Sequence, residues 1–302
     1  MDDIGSAVKR MVDLPGHGSI AVWDCPGPPG APTLVLLHGV TLTAELNWLA
    51  VFPVLGRQFR VLAFDQRGHG GGLGCGGAYR LEQCADDVAG LADVLGIERL
   101  FVVGYSMGGL IAQLCWRRHP RLVAGLVLCA TAPSIAGVLW RRWVMLTMPA
   151  LMMPLVAASA GSMPGMAGLR ADVLGAHLID PNGDRAHRDW ALGQMRRTSL
   201  VTALSAVSAV YEFSSHDWIG QVDVPTAVII TRDDRVVLAA RQRKLAAAVR
   251  GALVYEMDGD HGVFLHAPGR FTTTMLAACE EICSDDTNAI SLNDPAAGLA
   301  AS

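Results

Sequence analysis

The run Leu100-Phe-Val-Val-Gly-Tyr-Ser-Met-Gly-Gly109 limits the folds open to this chain more than any other segment. An apolar, β-branched stretch stops at Gly104. Ser106 follows, and an apolar, helix-like stretch then runs from Leu110 to His119. The order is strand, sharp turn, helix, with a serine on the turn. Such a turn folds the backbone onto itself, so the positions two before and two after the serine must be tiny. Gly104 and Gly108 meet that need. A serine held there stands clear of the sheet edge, where a substrate reaches it. The competing reading is a glycine-rich strand–helix turn with a bystander serine.

The rest of the chain repeats the alternation. Strands are expected at Ser19 to Asp24, Thr33 to Leu37, Arg60 to Phe64, Leu122 to Leu128, Thr226 to Ile230 and Leu253 to Met257. Helices are expected at Leu46 to Leu55, Leu81 to Leu95, Ala239 to Val249 and Phe271 to Cys283, with Asp86, Asp87 and Asp93 on the wet side of the second. Between about Ser134 and Phe213 the alternation stops, and the segment reads as helical and rich in Met, Ala and Trp. Apolar strands separated by helices give an α/β fold with a mostly parallel, doubly wound central sheet covered on both faces. The expected organisation is a core at 1–133 and 214–284, a helical insert at 134–213 after the sixth strand, and a disordered tail at 285–302.

The segment from Trp143 to Leu169 carries no charged residue and is long enough to cross a bilayer. Pro149, Pro154 and Pro164 break it as a helix, however. A crossing would also separate Ser106 from everything after residue 220. The segment is therefore read as a lid, with no transmembrane span; peripheral membrane contact through it stays open. Seven cysteines without a repeating spacing or a C-x-x-C pair indicate a reducing compartment, and the N-terminus does not read as a secretory signal, so the expected location is the cytoplasm. The net charge of −4 with scattered Lys and Arg gives no nucleic-acid footprint. No glycine-rich phosphate loop and no metal-ligand spacing is present in the sequence, so neither cofactor nor metal is expected. The oligomeric state is not written in the sequence.

In sheets of this kind function gathers at the C-terminal ends of the strands. Those ends hold His38-Gly39-Val40, Asp65-Gln-Arg-Gly-His-Gly70, Ser106, Thr231-Arg-Asp-Asp-Arg-Val-Val237 and Asp258-Gly-Asp-His-Gly262. A serine, an acid and a histidine thus follow one another in a chain order known for hydrolytic triads. A serine hydroxyl is a poor nucleophile near neutral pH and needs a base beside it. Histidine takes that proton and returns it to the leaving group, while the acid orients the imidazole. Two backbone N–H groups must receive the developing oxyanion. Met107, just after the serine, supplies one, and Val40 in the loop after His38-Gly39 the other. Spacing to Val237 favours Asp234 over Asp233 as the acid, and the turn favours His261 over His266 as the base. His38 orders the oxyanion loop, and His69 is structural or at the rim.

Together, His38-Gly39, Asp65-x-Arg67-Gly68-x-Gly70, Gly104-x-Ser106-x-Gly108, Asp234-x-x-Val237 and Gly259-Asp-His261-Gly262 resemble the α/β-hydrolase fold family, in its serine-nucleophile, esterase- and lipase-like branch with a helical cap. The resemblance covers about residues 15 to 283. It implies Ser106 as nucleophile, Asp234 as acid, His261 as base, and Val40 and Met107 as the oxyanion hole, with His38 and Gly39 supporting it. The chain departs from the family pattern at Thr231, where glycine is frequent, at Leu238, where proline is usual, and in the loop Val40-Thr-Leu-Thr43. The implied reaction is hydrolysis of an ester, thioester or lactone of a small hydrophobic acyl substrate. Carbon–carbon bond hydrolysis and cofactor-free perhydrolysis are alternatives on the same triad. A binding or interaction protein on a hydrolase scaffold is the alternative of another class.

Overall fold

The computed structural model describes residues 7–135 and 184–292, with side chains up to residue 284. Eight strands form one sheet: β1 (Val8–Leu14), β2 (Gly18–Cys25), β3 (Thr33–Leu37), β4 (Arg60–Phe64), β5 (Leu100–Tyr105), β6 (Val123–Cys129), β7 (Thr226–Thr231) and β8 (Leu253–Met257). Their spatial order is β1-β2-β4-β3-β5-β6-β7-β8. The first two pairings, β1 with β2 and β2 with β4, are antiparallel, and every later one is parallel.

Successive side chains of the inner strands point to opposite faces and are divided between two apolar layers. Leu34 and Leu36 of β3 join Trp48, Phe52, Phe271 and Met275 on one face. Val35 and Leu37 join Val88, Leu91, Ile111 and Leu114 on the other. The helices that supply those layers are α1 (Ala44–Trp48), α2 (Phe52–Leu55), α3 (Leu81–Val94) and α4 (Met107–Arg118) before the insert. After β6, α5 (Arg185–Met195) and α6 (Leu200–Glu212) precede β7. Then come α7 (Ala239–Ala248), α8 (Val263–His266) and α9 (Pro268–Leu292). Six parallel strands with helices on both faces leave the loops at their C-terminal ends as the place where a site is built.

The observed elements refine the expected ones. The helix expected over Leu46 to Leu55 is two short helices, α1 and α2, because Pro53 lacks an N–H and sits in the first turn of a restarted helix. The last helix is longer than Phe271 to Cys283 at both ends, its backbone running to Leu292. Strand β1 was not expected: four of its first residues in a row are exposed, so it shows no apolar alternation until Val12. A turn through Gly16 and Gly18, at φ of 77° and 109°, pairs it with β2. The charge-free segment Trp143 to Leu169 lies outside the described residues. Among the described residues no helix is long and apolar enough to cross a membrane. All seven cysteines lie among the described residues, and none forms a disulfide.

Asp87 corrects the assignment of α3's wet side. It is buried, and Arg67 grips it in a fork, Nε donating to Oδ2 at 2.8 Å and Nη2 to Oδ1 at 2.5 Å. This pair ties the loop after β4 to α3. At the far edge of the sheet, by contrast, the ion pairs are exposed. Glu256 of β8 accepts from Arg243 and Arg232, and Arg232 also reaches Asp258. Asp87→Ala strands the buried guanidinium, so we expect a stability loss of about 3–5 kcal/mol in urea unfolding. The double variant Arg67→Met/Asp87→Leu removes both charges and should recover most of that loss. A single variant with an unchanged urea midpoint contradicts the buried-pair account.

Candidate active site

The turn between β5 and α4 holds Ser106 at φ 54°, ψ −116°, a backbone that costs a non-glycine residue about 1–3 kcal/mol. Its neighbours make that conformation fit. A Cβ on Gly104 would lie 2.3 Å from the Gly108 carbonyl oxygen, and one on Gly108 would lie 2.0 Å from that of Leu37. The Ser106 N–H donates to the Cys129 carbonyl at 2.9 Å, and its own carbonyl accepts from Gly109 at 2.9 Å. The residue is 6% exposed, shielded yet not sealed off.

His261 and Asp234 come to this serine from the ends of β8 and β7. His261 Nδ1 is 2.7 Å from Asp234 Oδ2, and its Nε2 is 2.9 Å from Ser106 Oγ. A carboxylate only accepts, so Nδ1 carries a proton and Nε2 of the neutral ring accepts from the serine hydroxyl. The Asp234 Oδ1 accepts from the Val236 and Val237 N–H groups, each at 2.8 Å. Its Oδ2 also accepts from the Thr231 hydroxyl at 2.8 Å. Tyr105, beside the nucleophile turn, donates its hydroxyl to the His261 carbonyl at 2.7 Å and fixes the backbone that carries the imidazole. Asp233 is exposed, and His266 pairs with Asp260 at 3.2 Å; neither enters this group.

The loop after β3 lies against the serine turn, because β4 and β5 flank β3 on opposite sides and the chain reverses direction there. A Cβ on Gly39 would be 3.4 Å from Ser106 Cβ. Asn47 Oδ1 receives the Gly39 N–H at 3.0 Å. His38 donates from Nδ1 to the Gly39 carbonyl at 2.8 Å and accepts the Gln66 N–H on Nε2 at 2.9 Å. Gln66 closes the arrangement by donating Nε2 to the His38 carbonyl at 2.6 Å. The Val40 N–H has no acceptor among the described residues. The Met107 N–H is one of the donors that the first turn of a helix leaves unpaired. Burial pushes His38 below the usual imidazole range. His69, packed edge-on to His38 at 5.3 Å, is pushed down to about 3, first by burial and then by that neighbour. His69 is fully buried, which makes it structural rather than a rim residue.

Sequence reasoning missed the residues that hold the site from behind. Asn47, Gln66, Tyr105 and Gln242 are buried hydrogen-bonding groups on helices, loops and strands far apart in the chain. Asp65 was legible as part of a motif but not in its work: Oδ1 accepts from Ala44 N–H at 2.8 Å, and Oδ2 from Gly71 N–H at 2.8 Å. The part of the insert that is described also touches this rim. Thr43 donates to Gln194 at 3.0 Å, Arg197 reaches Asp65 at 3.7 Å, and Ser205 Oγ accepts the Tyr79 N–H at 2.9 Å. Among the described residues no group of three or more His, Cys, Asp or Glu side chains is placed to hold a metal.

The family model for the alpha/beta hydrolase fold matches residues 32–268. The chain belongs to this family. It is therefore a hydrolase of alpha/beta fold, and its relatives carry several hydrolase names. It is 28% identical over 251 residues to RutD of Agrobacterium fabrum, whose name proposes carbamate hydrolysis; the match covers 82% of this chain and 92% of that one. A pimeloyl-[acyl-carrier protein] methyl ester esterase of Sodalis glossinidius is 40% identical over 115 residues, 38% of this chain and 42% of its own. Among solved structures, the enol-lactonase of Burkholderia xenovorans LB400 superposes with a TM-score of 0.72 at 25% identity, covering 90% of this chain and all of that one.

The lowered histidines give the hydrolase a signed pH dependence. A histidine held neutral in the fold takes up its proton more readily when unfolded, so stability is full above pH 6.5 and declines as pH falls from there toward His69's value of about 3. Between pH 7 and pH 5 His69 alone should account for a loss of about 2 kcal/mol. Urea midpoints taken across that interval should therefore fall less steeply in His69→Leu than in the wild type. Equal slopes would show that His69 is not held neutral.

Proposed function

We propose that this hydrolase cleaves an ester-type bond of a small hydrophobic substrate through an acyl-enzyme formed on Ser106. The observation that carries the reading is the unbroken line Ser106 Oγ, His261 Nε2, His261 Nδ1, Asp234 Oδ2, with contacts of 2.9 and 2.7 Å. Ser106 Oγ attacks the carbonyl carbon while His261 takes the hydroxyl proton, and Asp234 holds the resulting imidazolium. The N–H groups of Val40 and Met107 receive the negative oxygen of the tetrahedral intermediate. When the intermediate collapses, His261 gives its proton to the departing alcohol or thiol. Water activated by His261 then releases the acid and restores Ser106.

Carboxylic esters, thioesters and lactones all present such a carbonyl. A serine nucleophile favours acyl transfer over chemistry that runs through an alkyl-ester intermediate on a carboxylate. The names of the esterase and lactonase relatives point the same way. On this reading the segment 134–213, of which 136–183 lie outside the described residues, contributes the apolar wall of the pocket, and cysteines without disulfides fit a cytoplasmic setting.

The test is hydrolysis of p-nitrophenyl esters and lactones together with labelling by a fluorophosphonate. Wild type should be labelled, and Ser106→Ala should not. Ser106→Ala, His261→Ala and Asp234→Asn should each lower kcat by roughly a thousandfold or more. Asp233→Asn, changing an exposed side chain, should stay within about threefold. A dead Asp233→Asn beside an active Asp234→Asn would overturn the acid assignment. An unlabelled wild type without ester or lactone turnover would overturn the reading as a whole.

A further inference from the structure

We propose that Thr231 and Gln242 form a hydrogen-bond relay that locks the Asp234 carboxylate in the rotation facing His261. This makes both of them positioning residues, and the inference rests on the triad reading above. The two carboxylate oxygens are held from different directions. Oδ1 takes two backbone N–H groups, from Val236 and Val237. Oδ2, the oxygen His261 faces, takes the Thr231 hydroxyl at 2.8 Å and lies 3.2 Å from Gln242 Nε2.

Gln242 Nε2 has two hydrogens and three oxygens near it: the Val237 carbonyl at 2.7 Å, Thr231 Oγ1 at 2.9 Å and Asp234 Oδ2 at 3.2 Å. The two shorter contacts take the hydrogens. Thr231 then accepts from Gln242 and donates its own hydrogen onward to Asp234, so the bonds run in series and polarise one another. The other end of the same amide accepts the Thr231 N–H at 3.1 Å. Gln242 therefore cannot turn without breaking bonds at both ends. Thr231 and Gln242 are 0% exposed and Asp234 is 3% exposed, which leaves little room for water to take over these bonds. Thr231 ends β7 and Gln242 lies in α7, so the relay bridges the strand and the helix on either side of the acid loop.

Thr231→Val removes the hydroxyl and keeps the shape and the backbone N–H. The two Gln242 hydrogens still find the Val237 carbonyl and Asp234 Oδ2. For a folded variant, confirmed by its melting curve, kcat on a p-nitrophenyl ester should fall about tenfold with KM within about twofold of wild type. Thr231→Ser returns the hydroxyl and should bring kcat to within about threefold. The low-field proton resonance of His261 Nδ1–H, identified by its loss in His261→Gln, should shift or broaden in Thr231→Val and not in Thr231→Ser. If Thr231→Val does not fold, Gln242→Met should show the same loss in kcat at constant KM. An unchanged kcat, a loss carried by KM, or an unmoved resonance overturns the relay. The resonance needs no substrate, so a failure of the ester reading, seen as an unlabelled wild type, stays distinct from a failure of the relay.

Discussion

The contact on which this molecule depends is between two stretches of bare backbone. Gly108, at the start of α4, lies against the carbonyl oxygen of Leu37, at the end of β3, with no room for a side chain between them. That approach sets the β5–α4 turn beside the loop that leaves β3. It places the Val40 and Met107 amides on the same side of the sheet as Ser106. Ser106, two residues before Gly108, holds a positive φ, a strain that only a well-packed surround sustains. The surround is aromatic: Tyr105 packs against Phe264 at 5.3 Å and Phe271 at 5.7 Å, and Trp48 stacks on Phe271 at 6.0 Å.

Around that contact the polar groups fall into two sets with opposite electrostatic needs. On the β3 side, burial disfavours a charge on His38 and His69, and uncharged amides from Asn47 and Gln66 shape the loop. On the β7 side a carboxylate is buried among hydrogen-bond donors, an environment that suits a charge. A missing donor in the second would leave buried charge uncompensated. The core lets each set be built separately, since they come from strands on opposite sides of β5.

The fold was legible because each core strand, buried on both faces, is a short continuous apolar run punctuated by glycine or a polar turn. The same logic explains β1, whose exposed first residues carry no such pattern. The meeting of Ser106, Asp234 and His261 was legible because strand ends concentrate chemistry, and it is Asp234, not the exposed Asp233, that reaches His261. Gln242 and Asn47 were not legible. Each sits within a helix and looks like an ordinary polar residue until the tertiary fold brings its amide to a loop. Asp87 was misread for the opposite reason: three acids on one helix look like a solvent face until Arg67 arrives from a loop twenty residues away.

The β8 border of the sheet is finished with charge. At β8 the outward-pointing Glu256 is held between Arg232 and Arg243, with Asp258 just beyond. A strand from a second molecule laying itself along β8 would set its own side chains beside this crowd of fixed charges and strip their water. That makes the border a poor template for sheet growth. Colloidal behaviour at high concentration is thus governed there by electrolyte. Salt that screens the four charges weakens the guard, and dilute buffer keeps it at full strength.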